Sequence, residues 1–503
     1  MLLTSILFSG LLYFLPAMLA GFPVFDGGLF YTMSEDLKAH QFILPAFTQY
    51  NLAGIPFAYP PLGFYVTALI STLFRIPALE ILRWLPPLVS VLSLFAFYWM
   101  ASEVLRSKLQ AALATAFYGL LLDSLEWAIM GGGITRSFGF LFMFLTITSA
   151  NRFFSQPRGL LAARTAVFGA LAFLSHPETG LLAGSMAVLL WFFRGRSKET
   201  FIRSVFIAFG VAILSAPWWW TVLSRHGLAP FLSAAQTSDD GTFHLAKLLV
   251  LNFSDGVFFN LTLAIGLVGL LAALAKKQYL LPLWWVLPFF IDPRGAGSVS
   301  AMAVAMLAGY GFDVLLAPAL LALRSRTGAW HEDRFVVNSL LLIMLYLFFG
   351  SGLSALDLAG KSLSAADQKT MTWIDQNIPP ESDLLLITGE QYSMNDPFQE
   401  WFPALTRQRS HTTLQGAEWT LAEEFFPFYG ELVALQHCAD LACVDEWGAR
   451  TGVTHQYLLI KKIPRENALH ASLTSLLRSV RQSPAYELVY EQENAVLFIK
   501  NER

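Results

Sequence analysis

Residues 21–65, GFPVFDGGLFYTMSEDLKAHQFILPAFTQYNLAGIPFAYPPLGFY, directly follow an apolar first run. Three carboxylates (Asp26, Glu35, Asp36), one histidine (His40) and the stiff step Tyr59-Pro60-Pro61 stand in this stretch. Ionisable side chains beside a bilayer are costly unless they are partnered or used. The stretch therefore reads as an outer loop of a membrane protein, with Asp26 as its leading acid.

Composition supports the membrane setting. Of 503 residues, 55% are hydrophobic and only 14% are charged, against about 25% charged in soluble domains. Phe (43) and Trp (14) are abundant, as expected where rings meet lipid and its interfaces. A net charge of −3 suggests no nucleic-acid partner. The first apolar run has neither a basic leader nor a small-residue cleavage site, so it reads as a retained helix.

A spanning helix needs about 20 apolar residues, because backbone polar groups in lipid must be satisfied internally. That window predicts about eleven spans, beginning near residues 3, 82, 110, 134, 162, 180, 203, 257, 279, 297 and 335. The run 61–75 is shorter, starts with Pro-Pro and reads as an interfacial helix. With the N-terminus inside, the inner turns then hold Arg106/Lys108, Arg152/Arg158/Arg164, Arg194/Arg196/Lys198, Lys276/Lys277 and Arg324/Arg326/Arg334. Every inner turn is basic, as the positive-inside rule expects. The outer side collects loop 21–81, Glu126, Arg136, His176, Glu178, Arg225, His226, Asp239, Asp240, His244, Asp255, Asp292 and Arg294.

Composition changes after the last span. Residues 1–355 form the expected transmembrane domain and 356–503 an outer α/β domain, with element order α-β-α-α-β-α-β-β. Cys438 and Cys443, five apart and both in this part, fit a short-loop disulfide as well as two free thiols.

Several residues could carry chemistry. Asp26 precedes Gly27-Gly28, which permit a tight turn and close approach of a ligand. Its carboxylate suits a general base and equally an N-cap for a helix starting near Leu29. Glu35 and Asp36 cannot both face Asp26 if 29–40 is helical, and His40 shares a face with Asp36. These three rank second. Glu126 and Arg136 flank Gly131-Gly132-Gly133, where backbone N–H groups could approach an anion and Arg136 could hold phosphate. Arg294 has the same logic, or pairs locally with Asp292. His176-Pro177-Glu178 could line the site or, with a loop acid, bind a divalent ion; alone it is a weak metal signal. Tyr59 offers a sugar-stacking surface. No HExxH, CxxC, Walker or GxSxG pattern is present, which argues against a zincin, an ABC-type ATPase or an α/β-hydrolase.

The pattern resembles the GT-C glycosyltransferases, and within them the family-39-like protein mannosyltransferases and aminoarabinose transferases. The likeness rests on Asp26, Tyr31, Tyr59-Pro60-Pro61-Leu62 and Arg83, and on the runs Trp373-Ile374, Asn377-Ile378-Pro379, Glu400-Trp401-Phe402-Pro403-Ala404-Leu405-Thr406 and Gln415-Gly416-Ala417-Glu418-Trp419. The resemblance implies a multi-pass protein of the plasma membrane, a polyprenyl-phosphate-linked sugar as donor, and a glycan, lipid or protein acceptor at the outer face. It implies no obligatory cofactor beyond a divalent metal left open. By position Asp26 matches the family's loop acid. The family often has Asp-Glu where this chain has Asp26-Gly27, and a lysine where it has Tyr59, which leaves phosphate to Arg136 or Arg294. Two readings compete: a transporter or flippase for a lipid-linked saccharide, and a non-catalytic scaffold with Trp401, Phe402, Trp419, Phe425 and Phe426 as a binding surface.

Overall fold

The computed structural model describes residues 2–122, 125–236, 259–293 and 295–501. Arg294, and Asp239, Asp240, His244 and Asp255 of the long outer loop, lie outside the described residues.

Apolar runs become helices where lipid or other helices cover them. Among the described residues six helices are long and apolar enough to cross a membrane, including Leu2–Ala20, Ala78–Leu105, Gly133–Ser155 and Lys198–His226. Other expected spans are shorter helices: Lys108–Gly119, Gly159–Ser175, Pro177–Arg194 and Leu261–Ala275. The expected span near 279 is broken, with Leu280–Val286 ending before Pro288–Ile291. Proline has no N–H to continue the ladder. Helix Leu62–Phe74 has 13 residues. At ~1.5 Å per residue it spans about 20 Å, short of the ~30 Å hydrocarbon core.

Helix Ala296–Gly311 is apolar all round and buried on nearly every face, so it forms the centre of the bundle. Its small residues let backbones touch. A Cβ at Gly309 would meet the backbone of Gln110 and Ala114, and one at Gly311 would meet Gly269. Close approach through small residues is how helices associate in lipid.

Helix ends sort into two groups. Arg194 donates to the carbonyls of Glu103 and Val104 and to the Asn151 side chain, so the basic ends of three helices meet at one end of the bundle. The other end carries residues 21–65. There Arg83 donates to the Ala17 carbonyl (2.9 Å), satisfying an orphan acceptor at the end of the first helix.

The C-terminal part holds a five-stranded sheet of order β2-β1-β3-β5-β4, with β1 Asp383–Ile387, β2 Arg409–Ser410, β3 Tyr457–Lys461, β4 Tyr486–Glu491 and β5 Ala495–Lys500. β1 runs parallel to β2 and β3, and β5 lies antiparallel between β3 and β4. β1 and β3 are nearly continuous apolar runs, because both faces of the sheet are covered. Leu385 and Ile387 pack with Leu432, Trp447 and Leu476. Leu384 and Leu386 pack with Trp401 and Phe402 and, through them, with Phe22, Leu29, Phe30 and Met33 of the first loop. One sheet face and the loop thus share a core. Cys438 and Cys443 are disulfide-bonded.

The expected element order omitted helix Pro397–Thr406 and strand β2. Two prolines concealed the helix. Pro397 occupies its first turn, where no N–H is needed, and Asp396 caps it by accepting from the Phe398 N–H (2.9 Å). Pro403 removes the bond to the Gln399 carbonyl, which instead accepts from the Thr413 hydroxyl (2.8 Å).

Candidate functional site

The chain turns sharply around Asp26. Phe25 has φ +60° and Gly27 φ +133°. A bulky residue at positive φ is strained and persists only where its surroundings hold it. Here the Trp401 indole N–H donates to the Phe25 carbonyl (2.9 Å). The turn aims the Asp26 carboxylate at the glycine run, where it accepts from the Gly132 N–H (2.9 Å). A Cβ at Gly132 would collide with that carboxylate and with the Phe30 ring. The glycines do let backbone approach an anion, and the anion is the protein's own Asp26.

Asp26 is not the helix cap. Helix Gly28–Ala39 starts behind Gly27, with no cap from its own loop. Its free N–H groups are met from far away in sequence, by Glu400 Oε1 at 3.3 Å from Gly27 N and 3.4 Å from Leu29 N. A carboxyl oxygen there satisfies donors left orphaned at the start of the helix. The Glu400 carbonyl accepts from the Tyr50 hydroxyl (2.6 Å). Asn51 exchanges two hydrogen bonds with the Ser410 backbone.

A cavity of about 210 Å³ lies between loop and roof, lined by Asp26, Tyr59, Trp127, Gly132, Thr135, Arg136, Asp396, Glu400, Gln415 and Glu418, among others. A second, of about 670 Å³, shares Tyr59, Arg136, Glu400, Gln415 and Glu418 with it and extends to His176, Glu178, Asp292 and Trp419. The Arg136 guanidinium lies over the Trp127 ring, 5.2 Å from its centroid, which fixes the cation at the wall. Tyr59 meets Phe30 edge-on at 4.9 Å and Trp419 at 5.4 Å. His176 Nδ1 lies 3.6 Å from Glu178 Oε2.

Burial pushes the Asp26 carboxyl up to about 6, against the opposing pull of the Gly132 N–H and the Arg136 charge. Glu400 is pushed up further, to about 8, first by burial and then by the charge of Asp26, against the N–H groups of Gly27 and Leu29. At neutral pH the pair therefore holds one negative charge mainly on Asp26. An ionised carboxylate, a fixed guanidinium and a neutral acid in one polar cavity can accept a proton and hold an anion side by side.

The structure brings Asp26, Tyr59, Arg136, His176 and Glu178 to these adjoining cavities. Glu126 opens the short helix Glu126–Ile129 and is not among the described residues lining either cavity. Glu35 pairs with Lys38 (2.8 Å). Asp36 is buried and accepts from the Thr48 hydroxyl (2.6 Å) and the Gln49 N–H (3.0 Å), bracing the loop. His40 Nδ1 lies 2.8 Å from the Asp36 carbonyl. These three hold the loop together away from the cavities. Among the described residues no group of three His, Cys, Asp or Glu side chains could hold a metal ion. Sequence reasoning assigned no chemistry to Glu400, Gln415 or Glu418, although the runs around them carried the family likeness.

No protein-family model and no curated protein matches the chain. Solved structures do. The arabinofuranosyltransferase AftD from Mycobacteria matches 100% of this chain with 40% of its own length, at TM-score 0.59 and 14% identity. The Archaeoglobus fulgidus oligosaccharyltransferase, solved with Zn and sulfate, matches 99% of this chain with 73% of its own, at TM-score 0.55 and 14% identity. ArnT from Cupriavidus metallidurans bound to undecaprenyl phosphate matches 99% with 97% of its own, at TM-score 0.52 and 14% identity. This chain thus spans about two fifths of the arabinofuranosyltransferase. The fold is GT-C-like, that of a multi-helix membrane protein with a small C-terminal sheet.

Proposed function

We propose that this protein is a membrane glycosyltransferase that moves a sugar from a polyprenyl-phosphate donor to an acceptor hydroxyl, with inversion. Supporting the donor class, one structure of the same fold, ArnT, was solved with undecaprenyl phosphate bound. The single observation that carries the reading is the placement of the Asp26 carboxylate beside Arg136, in a polar cavity roofed by the C-terminal part.

In this mechanism the acceptor hydroxyl gives its proton to Asp26 as its oxygen attacks the anomeric carbon. The bond from that carbon to the phosphate oxygen breaks, and the polyprenyl phosphate leaves with the electron pair. A base raised to about 6 stays ionised at neutral pH and is a better proton acceptor than an ordinary aspartate. Arg136 neutralises the departing phosphate, with Arg294 a candidate to join it. Electrostatic stabilisation of that kind and positioning supply most of the acceleration. Glu400, neutral at pH 7, holds the loop without adding a second charge that would repel the phosphate. Tyr59 is the stacking surface, and His176 and Glu178 bind substrate in the larger cavity.

The basic ends gathered near Arg194 face the cytoplasm by the positive-inside rule. The Asp26 cavity and residues 356–503 then face outward, where a short-loop disulfide persists. The test is transfer itself. Protein in nanodiscs is given polyprenyl-phosphate monosaccharides with labelled sugar and a cell-envelope extract as acceptor. Acceptor-dependent release of unsugared polyprenyl phosphate supports the reading; passage of intact donor across the bilayer without release favours a flippase.

A further inference from the structure

The bundle carries another cavity, which shares no lining residue with the two around Asp26 and runs from Phe173 and Gly180, beside the His176 turn, toward Trp191 and Phe201 at the basic end. It has a volume of about 620 Å³ and lies among helices Gly133–Ser155, Gly159–Ser175, Pro177–Arg194 and Lys198–His226, with Ala150, Phe154, Gly169, Gly184, Ala187 and Val211 in its wall. Helix Gly133–Ser155 enters at Arg136 and reaches this cavity only with its last turns, from Thr146 onward. Its wall hydroxyls are already spent. Thr146 donates to the Phe142 carbonyl (2.7 Å), Thr165 to Leu161 (2.8 Å) and Ser204 to Thr200 (2.8 Å). The lining therefore asks for an apolar occupant, since a site without polar partners does not hold water. Phe201 and Val205, at its mouth, are more than half exposed on the outside of the bundle, so the cavity opens where lipid chains lie.

Through Trp191, Phe192 and Phe201 the cavity continues into a groove of about 410 Å³ that adds Arg196, Ser197 and Lys198. The neighbouring cations are engaged: Arg194 by the Glu103 and Val104 carbonyls and Asn151, and Arg203 by Glu199 (2.7 Å). Arg196, whose guanidinium lies over the Phe192 ring at 5.9 Å from its centroid, and Lys198 enter no ion pair among the described residues, and both are exposed. The Trp191 indole, tied to the Thr200 hydroxyl (3.2 Å), stands where tail meets head, a place tryptophan favours. An apolar chamber leading to two exposed cations outside any described ion pair is complementary to an anionic amphiphile.

We infer that this is a binding site for an anionic membrane phospholipid, with an acyl chain in the cavity and its phosphate between Arg196 and Lys198. It is separate from the Asp26 cavity and independent of the transfer reading.

Native mass spectrometry of the full chain, with phosphatidylglycerol and phosphatidylcholine added in equal amounts, tests it. Wild type should retain at least about tenfold more phosphatidylglycerol: both lipids carry the phosphate, but only phosphatidylglycerol keeps a net negative charge, and two basic residues at about 1 kcal/mol each convert to a factor of about 30. Two variants separate tail from head. A Cβ at Gly184, in the cavity wall, meets nothing within 4 Å, so Gly184→Phe has room to enter the chamber and should abolish retention of both lipids. Arg196→Gln with Lys198→Gln, both at the surface, should lower phosphatidylglycerol far more than phosphatidylcholine and erase the preference. Equal retention of the two lipids by wild type overturns the proposal, as does a Gly184→Phe protein that elutes as a folded monomer and retains phosphatidylglycerol. Displacement of phosphatidylglycerol by equimolar undecaprenyl phosphate in wild type also overturns it, because the occupant would then be an isoprenoid chain. Should Gly184→Phe not fold, the surface double variant decides alone.

Discussion

Asp26→Asn separates chemistry from architecture. The asparagine Oδ1 can still accept from the Gly132 N–H, as Asp26 Oδ1 does at 2.9 Å, so the turn and cavity survive. What goes is the proton acceptor. Removing a general base costs about 10²–10⁴-fold, or about 3–5 kcal/mol of transition-state stabilisation. The wild type also carries a pH signature. With a carboxyl near 6, only about a tenth of the molecules hold an ionised Asp26 at pH 5, and nearly all do at pH 7.5. Transfer should therefore rise about tenfold from pH 5 to pH 7.5 in wild type and show no such limb in the variant. The assay is single-turnover transfer from labelled donor in nanodiscs, with thermal unfolding recorded alongside. Less than tenfold loss, with the acid limb intact, removes Asp26 from the base role.

Further expectations concern the roof. The Glu400 carboxyl sits well above its ordinary 4.5, near 8, so folding favours its protonated form. That stability is full below about 4.5 and is lost as pH rises through about 8; Glu400→Gln should unfold at the same temperature as wild type in acid and at a higher one at pH 9, by differential scanning fluorimetry. Trp401 is fully buried and holds the Phe25 carbonyl. Trp401→Ala should cost about 3–5 kcal/mol and, in hydrogen exchange, loosen residues 25–30 more than the sheet. Reducing Cys438–Cys443, which closes a loop of sequence separation 5, should cost about 2 kcal/mol, read as a lower unfolding temperature of the C-terminal part with transfer unchanged.

Much of the site was legible because lipid makes ionisable residues expensive. Asp26, Arg136, His176 and Glu178 stand at the ends of apolar runs, on the side away from the basic turns, and the adjoining cavities bring these candidates together. The helical loop following Gly27-Gly28 was legible too. The roof was not. Glu400 caps Gly27 across 373 residues of sequence, and hydrophobic period reports which face of a helix is buried, never which distant segment covers it. Its helix carries Pro397 and Pro403, which read as breakers until the Thr413 hydroxyl is seen serving the Gln399 carbonyl. The acids that looked most abundant in the loop, Glu35 and Asp36, proved to brace it: an i,i+3 partner at Lys38 and a hydroxyl twelve residues on at Thr48 absorb them.

The most direct test of the central claim is the affinity of wild type and Arg136→Ala for undecaprenyl phosphate in nanodiscs, by microscale thermophoresis. Wild type should bind saturably and Arg136→Ala about ten- to a hundredfold more weakly, the equivalent of one charged hydrogen-bonding contact at about 1.5–3 kcal/mol. The same affinity in both proteins, or no saturable binding to wild type, would contradict that claim.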